Sequence, residues 1–132
     1  HLSIRRQRQM CIRDRLYLHS PYLWGGKTPF GIDCSGFTQM VYKINGYKIL
    51  RDAKDQATQG VTLSFIEESE PGDLAFFHND NDEIIHVGII LKDNHIIHAS
   101  GKVRIDRLDQ SGIYNNEKNK HTHSLRYIKK II

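Results

Sequence analysis

Cys34 stands where a loop rich in glycine and proline gives way to a predicted helix. Glycines and a proline interrupt regular structure between residues 25 and 31, whereas apolar residues recur at helical spacing from position 37 to position 44. In the first turn of a helix, unpaired backbone N–H groups favour an anion, and a thiolate in such a position has a lowered pKa. We therefore predict that Cys34 is a nucleophile. The alternative is a small buried hydrophobic side chain, which is the usual role of a free cysteine.

A cysteine nucleophile needs a base, and two histidines on consecutive predicted strands are candidates. His86 and His98 lie before and after a predicted turn at residues 92–94. If that turn is a three-residue loop with Asn94 left-handed, Gly88 pairs with His98, and His98 lies diagonal to His86 on the same face. A two-residue loop would put the two rings on opposite faces.

Together, these side chains could form a catalytic relay. Cys34 would be the nucleophile, His86 the base, and His98 the residue that orients and polarises His86. A strand histidine on its own is more often structural, so the prediction depends on the three residues acting together. The same residue types bind zinc, but their spacing matches no compact zinc motif and His95 is predicted to point away, so we predict no metal site. The histidines at positions 78, 121 and 123 are predicted to lie at the surface.

The predicted order of elements is two helices followed by strands. The helix that begins at Cys34 is predicted to end at Asn45 and Gly46, and a short helix is predicted over residues 53–59. Strands are predicted at residues 73–77, 84–91, 95–100, 102–106 and 125–131. The stretch 110–120, rich in glycine, asparagine and lysine, is predicted to be an exposed loop. Helices followed by a run of strands indicate an α+β domain with an antiparallel sheet.

The composition excludes several classes of protein. With 132 residues and 39% hydrophobic side chains, the chain is long enough for one hydrophobic core, and it contains no apolar run long enough to span a bilayer. The net charge of +4 lies in residues 1–15, which contain five arginines and one aspartate. The remainder carries 14 basic and 14 acidic side chains, so no basic surface is predicted and nucleic-acid binding is not expected.

Residues 1–15 are unlike the rest of the chain. They have no clear amphipathic period and resemble translated sequencing-adapter read-through, so we expect this segment to be non-native or disordered. The predicted domain is therefore residues 16–132, in which Cys34 is the single cysteine and no internal disulfide can form. On this interpretation, an export signal and upstream domains are expected to be missing.

Five sequence blocks follow one another at compatible spacing. They are Pro-Tyr-Leu-Trp-Gly-Gly at 21–26, Gly-Ile-Asp-Cys-Ser-Gly-Phe at 31–37, Pro-Gly-Asp-Leu-Ala-Phe-Phe at 71–77, His-Val-Gly-Ile at 86–89 and Ile-His-Ala-Ser at 97–100. In this order they resemble the NlpC/P60 family of cell-wall cysteine peptidases. The resemblance implies a papain-like α+β fold in which the helix bearing the nucleophile packs on an antiparallel β-sheet. It also implies a Cys-His-His triad formed by Cys34, His86 and His98, with no cofactor.

The activity that this resemblance implies is hydrolysis of peptidoglycan stem peptides, at the bond between γ-D-glutamate and a diamino acid such as meso-diaminopimelate or lysine. Cys34 would attack the carbonyl and form a thioester, which His86 would help to hydrolyse. Two alternatives stay open: a catalytically silent domain that binds murein as a scaffold, or an amidase or acyltransferase with the same fold. The expected partners are peptidoglycan peptides or free muropeptides, bound by a monomer in the bacterial envelope, either periplasmic or secreted.

The same resemblance implies substrate-binding residues near the nucleophile. Asp33 and Ser35 flank the cysteine and are expected to bind the amino end of the peptide, although Asp33 also suits the N-cap of the helix. Arg51 is expected to pair with a substrate carboxylate, or else to be a solvated charge. Tyr22 is expected to assist at the oxyanion, or else to pack with Trp24, which is predicted to form a pocket wall. In the family, preceding SH3-like domains often complete this pocket.

Overall fold

The computed structural model describes residues 27–28, 31–44, 46–100 and 102–131. In this part of the chain, most of the regular structure consists of antiparallel strands. The strands are β1 (Lys27–Thr28), β2 (Gly31–Ile32), β3 (Val61–Leu63), β4 (Leu74–His78), β5 (Ile84–Leu91), β6 (His95–Ser100), β7 (Lys102–Asp109), β8 (Gly112–Asn115) and β9 (Lys120–Lys130). The two α-helices among the described residues are α1 (Cys34–Ile44) and α2 (Ala53–Gln56), and a single 3₁₀ turn there spans Ile66–Glu68.

Six of these strands close into an antiparallel barrel. Their order around the barrel is β9, β4, β5, β6, β7 and β8, and β8 then pairs back with β9. The strand β9 is long enough to pair with β8 through its first half and with β4 and β3 through its second half. β3 is therefore a seventh strand added beside the barrel, while β1 and β2 form a separate hairpin.

The predicted α+β class is wrong. The described residues form a closed, mostly β domain with two α-helices, of 11 and 4 residues. The predicted papain-like α+β fold is wrong with it: the helix that bears Cys34 does pack on antiparallel strands, β5 and β6, but these strands belong to a closed barrel. The barrel is closed by a strand that the sequence analysis does not predict.

That strand is β8, which lies inside the stretch 110–120 that is predicted to be a loop. Ile113 of β8 is fully buried and pairs with His123 of β9, and this pairing closes the barrel. Glycine, asparagine and lysine surround only two adjacent residues with strong β-propensity, Ile113 and Tyr114. The composition of the stretch therefore conceals a strand whose stability comes from pairing on both of its edges.

Most other elements lie close to their predicted positions. β5 and β6 have the predicted bounds, and α1 begins at Cys34 as predicted. α1 ends at Ile44, and Gly46 has a left-handed φ of 88°, which is typical of a glycine that ends a helix. Asn45 lies outside the described residues. α2 ends at Gln56, earlier than the predicted end at residue 59.

The predicted turn between β5 and β6 is confirmed. Gly88 pairs with His98, and Asn94 has a left-handed φ of 58°. The three-residue loop therefore sets the parity that puts His98 diagonal to His86 on one face of the sheet.

Alternation along the strands divides the apolar core into two clusters. One cluster fills the barrel interior and consists of Ala75, Phe77, Ile90, Ile96, Leu108, Ile113 and Ile128. The other lies between the barrel and α1, and includes Phe37, Val41, Tyr42, Leu74, Phe76, Val87, Ile89, Ile97 and Ala99. Residues next to each other on β4, β5 and β6 thus belong to opposite clusters, as the pleat of a strand requires.

Polar contacts fix α1 on the barrel. The hydroxyl of Tyr42 donates to the backbone carbonyl of Gly72, which precedes β4. Near the other end of the helix, Nε2 of Gln56 donates to the carbonyl of Ser35 at 3.1 Å and to that of Leu50 at 2.7 Å. These bonds connect α1 to α2 and hold the helix start in one position. Within the described residues, neither helix has the length and apolar content needed to cross a membrane.

Closure of the barrel depends on a glycine at the start of β8. A Cβ atom on Gly112 would lie 1.8 Å from the carbonyl oxygen of His123, and the φ of this residue is +145°. We therefore expect Gly112→Ala to lower the free energy of unfolding by about 3 kcal/mol, measured by urea denaturation. Gly46→Ala is the matched control, because its φ is also positive (+88°) but no atom lies within 4 Å of the added Cβ. Its expected cost is about 1 kcal/mol, and equal losses in the two variants would contradict the role of closure.

Candidate active site

Asp33 fixes the start of α1 and with it the position of Cys34. Oδ1 of Asp33 accepts a hydrogen bond from the N–H of Gly36 at 2.7 Å, and its backbone carbonyl accepts one from the N–H of Phe37 at 2.9 Å. This is the geometry of an N-cap, so the predicted capping role of Asp33 is confirmed. Cys34 is consequently the first residue of the helix, with 9% of its surface exposed.

Cys34 lies where β5 and β6 stop pairing. The ladder between these strands begins at Gly88 and His98, and the thiol lies near enough to the backbone of Val87, just beyond that point, for this backbone to lower its pKa. Burial raises the pKa of the Cys34 thiol and the charge of Asp33 raises it further, against backbone hydrogen bonds that lower it. The lowered thiol pKa predicted from the helix start is therefore wrong, because loss of hydration outweighs the helix terminus.

The rings of His86 and His98 are hydrogen-bonded to each other. Nε2 of His86 lies 2.8 Å from Nδ1 of His98, and the ring planes are nearly perpendicular, at 87°. Both residues are buried, with 6% and 1% of their surface exposed. Among the described residues, Nδ1 of His86 has no hydrogen-bond partner, and none joins His86 to Cys34. Such catalytic contacts are often long before substrate binds.

Asp106 continues this chain of hydrogen bonds, although sequence reasoning does not single it out. Oδ2 of Asp106 lies 2.7 Å from Nε2 of His98. Arg104 binds the same carboxylate through a fork, with Nε donating to Oδ2 at 2.8 Å and Nη2 donating to Oδ1 at 3.1 Å. His98 pairs with Arg104 in the β6–β7 ladder, so alternation puts Arg104 and Asp106 on the His98 side of the sheet. The signal in the sequence is the order Arg-Ile-Asp at 104–106, which becomes informative only once that register is known.

His123 is a further residue at this site, and its predicted surface position is wrong. Its ring stacks on that of His86, with centroids 4.2 Å apart and an interplanar angle of 24°. It also meets Phe77 edge to face at 5.9 Å, which leaves it half-buried. The stack therefore restrains the plane of the His86 ring.

Burial keeps these rings neutral. Burial, together with nearby His98 and His123, lowers the pKa of His86 well below its usual value. Burial also lowers the pKa of His98 although Asp106 raises it, and lowers that of His123 to about 4. Burial raises the pKa of Asp106, but hydrogen bonds from His98 and Arg104 outweigh it and hold that pKa below its usual value. At neutral pH this line of hydrogen-bonded side chains therefore consists of the ionised carboxylate of Asp106 followed by the neutral imidazoles of His98 and His86.

Arg51 joins the two side chains that flank Cys34. Its Nη2 donates to Oδ2 of Asp33 at 2.9 Å, and its Nη1 donates to Oγ of Ser35 at 2.8 Å. Asp33 and Ser35 are buried, whereas 32% of the Arg51 side chain is exposed. The structure thus groups three residues that were predicted to contact substrate, and Arg51 is an ion-pair partner rather than a solvated charge.

Two predicted site residues, Tyr22 and Trp24, lie outside the described residues. Within the described ranges, no three His, Cys, Asp or Glu side chains are arranged to hold a metal ion. The chemistry available to the described site is therefore that of a thiol, imidazoles and a carboxylate. This set can form a nucleophile and transfer its proton.

The sequence profile of the NlpC/P60 family matches residues 19–124. The chain belongs to the NlpC/P60 family. It is 42% identical over 85 residues to the gamma-D-glutamyl-L-lysine dipeptidyl-peptidase of Bacillus subtilis, a match that covers 63% of this chain and 28% of that protein. The chain thus spans less than a third of that peptidase.

Solved structures of NlpC/P60 domains agree with this membership. An NlpC/P60 family protein from Bacillus cereus superposes with a TM-score of 0.81 and 28% identity, covering 95% of this chain and 40% of that chain. The NlpC/p60 domain of the peptidoglycan hydrolase SagA superposes with a TM-score of 0.73 and 26% identity, covering 94% of this chain and 97% of that chain. The predicted family is confirmed.

A neutral thiol has a characteristic pH dependence of alkylation. Because the pKa of Cys34 is raised, we expect its rate of reaction with iodoacetamide to rise about tenfold per pH unit from pH 6 to 9. The rate is measured on the Cys11→Ala variant by mass spectrometry, so that only Cys34 reacts. A rate that is constant across mildly acid and neutral pH would indicate a thiolate–imidazolium pair and contradict this expectation.

The stacked ring of His123 predicts a loss of stability in acid. Burial lowers its pKa from 6.5 to about 4, so between these values the unfolded chain binds a proton that the folded chain does not. The free energy of unfolding should therefore decrease as the pH falls from 6.5 to 4. His123→Phe keeps an aromatic ring against His86 but cannot be protonated, and it should show a smaller decrease in urea titrations at several pH values. Equal pH dependence in both proteins would rule out this contribution.

Proposed function

We propose that this domain is a cysteine peptidase that cleaves peptidoglycan stem peptides at the bond between γ-D-glutamate and lysine or meso-diaminopimelate. The observation that carries the proposal is a buried thiol beside the strand of His86, whose ring is hydrogen-bonded to His98. The Bacillus subtilis relative is named for the γ-D-glutamyl-L-lysine bond, and SagA is named a peptidoglycan hydrolase. These names support the substrate class.

In the first step, the thiol of Cys34 loses its proton to His86 as the sulfur attacks the substrate carbonyl. The pKa of the thiol is raised and that of His86 is lowered, so both groups are neutral before substrate binds. Proton transfer and attack are therefore coupled. His86 acts as a general base rather than as the partner of a preformed ion pair.

Backbone groups at the start of α1 suit the stabilisation of the oxyanion. The first N–H groups of a helix lack partners within it. Asp33 binds the N–H of Gly36, whereas the backbone groups of Cys34 and Ser35 act on the thiol by lowering its pKa. A substrate carbonyl bonded to that sulfur has its oxygen within reach of these donors. We assign them as the oxyanion donors, with the hydroxyl of Tyr22 as a further donor.

The tetrahedral intermediate collapses when the His86 imidazolium gives its proton to the amine of the diamino acid. That amine leaves, and the acyl group stays on Cys34 as a thioester. His86, neutral again, takes a proton from water as the water attacks the thioester, and the Cys34 thiolate is released and reprotonated. The hydrogen bond to His98 holds the His86 ring through both halves of the reaction.

The side chains that flank Cys34 suit the amino end of the peptide. The carboxylate of Asp33 can pair with an ammonium group, and the hydroxyl of Ser35 can accept a hydrogen bond from it. Arg51 holds both side chains, and its exposed portion can meet a substrate carboxylate. Trp24 would form the adjoining wall. A peptidoglycan substrate further implies a position in the bacterial envelope, periplasmic or secreted.

Cleavage of defined peptides tests the proposed function. The 132-residue chain should release L-Ala-D-Glu from L-Ala-γ-D-Glu-L-Lys, from the meso-diaminopimelate peptide, or from both, with products identified by mass spectrometry. Cys34→Ala should reduce the rate by at least about 10³-fold, whereas the Cys11→Ala control should retain it. A folded wild-type chain that cleaves neither peptide would overturn the proposal. Binding without cleavage would favour a silent murein-binding domain.

A further inference from the structure

Three side chains form one hydrogen-bonded line beneath the nucleophile. Oδ2 of Asp106 meets Nε2 of His98 at 2.7 Å, and Nδ1 of His98 meets Nε2 of His86 at 2.8 Å. His98 therefore uses both of its ring nitrogens in these hydrogen bonds, and His86 uses Nε2. The nitrogen that is left is Nδ1 of His86. The direction in which the hydrogen bonds run decides what that last nitrogen can do.

The carboxylate end of the line has only one possible direction. An ionised carboxylate accepts hydrogen bonds and cannot donate one. The forked ion pair with Arg104 favours the ionised form of Asp106, since both carboxylate oxygens accept from the guanidinium. Nε2 of His98 must therefore carry the hydrogen that lies between the two residues.

The same reasoning then determines which nitrogen carries the hydrogen in each of the two rings. A neutral imidazole has one N–H and one lone pair. With its hydrogen on Nε2, His98 presents a lone pair at Nδ1, so the hydrogen between the rings belongs to Nε2 of His86. His86 is also neutral, because burial lowers its pKa, and its Nδ1 must then be a lone pair. The hydrogen bond at one nitrogen of a histidine generally determines the state of the other.

We propose that Asp106 is a positioning residue that fixes the tautomers of His98 and His86, so that the basic Nδ1 of His86 is the nitrogen available to Cys34. The proposal rests on the proposed function for its catalytic meaning, but the tautomers themselves are a property of the free protein. The helix α1, which begins at Cys34, packs against β5, and the thiol lies near the backbone of Val87, the next residue along β5 from His86. A hydrogen on Nδ1 would leave His86 unable to accept the thiol proton.

The proton transfer that follows is balanced by this arrangement. The S–H bond of Cys34 breaks and an N–H bond forms at Nδ1 of His86, giving a thiolate and an imidazolium. The hydrogen on Nε2 stays between the rings and is donated to His98. No second proton has to move, and the negative charge of Asp106 stabilises the imidazolium through the polarised ring of His98.

Nitrogen-15 NMR of the histidine rings tests the proposal directly. In the 132-residue wild-type chain labelled at histidine, long-range ¹H–¹⁵N spectra at pH 7.5 should show His86 and His98 both with hydrogen on Nε2 and none on Nδ1. This readout needs neither substrate nor a variant. Hydrogen on Nδ1 of His86 in the folded wild-type chain would overturn the proposal, whether or not the protein cleaves peptides.

A variant at the carboxylate tests the cause. Asp106→Ala should populate the other tautomer of His98 and His86, and should lower kcat on the muropeptide about 100-fold with KM changed less than about threefold. Asp109→Asn is the matched control, because Asp109 lies on the same strand as Asp106 but at the surface and accepts from His121 of β9. Asn keeps the oxygen that accepts from the N–H groups of Ser111 and Gly112. This variant should alter neither the tautomers nor kcat.

The outcomes separate the two proposals. Wild-type tautomers as expected together with no cleavage would overturn the proposed function and leave the tautomer assignment intact. Cleavage by wild type with unchanged tautomers and kcat in a folded Asp106→Ala would overturn the role of Asp106 and leave the peptidase assignment intact. If Asp106→Ala does not fold, the wild-type spectrum and the variant Asp106→Asn decide. Asn keeps an acceptor oxygen but loses the charge, so kcat should fall by less than the loss of about 100-fold expected for Asp106→Ala.

Discussion

The pairing of β8 with β9 closes the sheet, and the histidine site depends on that closure. Side chains that point into a closed barrel are removed from water, so each polar group among them needs a partner within the protein. His86, His98 and Asp106 meet this requirement by bonding to one another in line. In an open sheet the same groups could bond to water instead, and these bonds would compete with the line that runs from Asp106 to His86.

Local patterns predict the parts of the site that are close in sequence. The β5–β6 hairpin needs only a loop of three residues with Asn94 left-handed, so the diagonal placement of His98 beside His86 could be predicted. Asp106 and His123 could not be predicted in this way. Asp106 depends on the register of the next hairpin, and His123 depends on β9, which meets β4 and β8 from far along the chain. The prediction of the fold class was wrong for the same reason, because closure of the barrel depends on the four-residue strand β8.

Burial also explains why the helix start does not give a thiolate at rest. The positive end of a helix carries about half a unit charge, and its effect on a nearby anion is typically about 0.3–1 kcal/mol. At Cys34 this end is capped by the carboxylate of Asp33, which is itself a negative charge beside the thiol. Removal of the thiol from water adds a larger penalty on ionisation. His86 is disfavoured as a cation by the same burial, so the neutral pair is the stable form.

Asp33 therefore has effects that oppose each other. As the N-cap it fixes the start of α1, and hence Cys34, but its charge raises the pKa of the thiol that it positions. Arg51 reduces this conflict, because a cation 2.9 Å from Oδ2 compensates part of the charge while leaving the cap on Oδ1 intact. Any further cation that meets Asp33 acts in the same direction. An ammonium group bound there would weaken the repulsion between carboxylate and thiolate, so that occupation of the anchor and ionisation of Cys34 favour each other through one side chain.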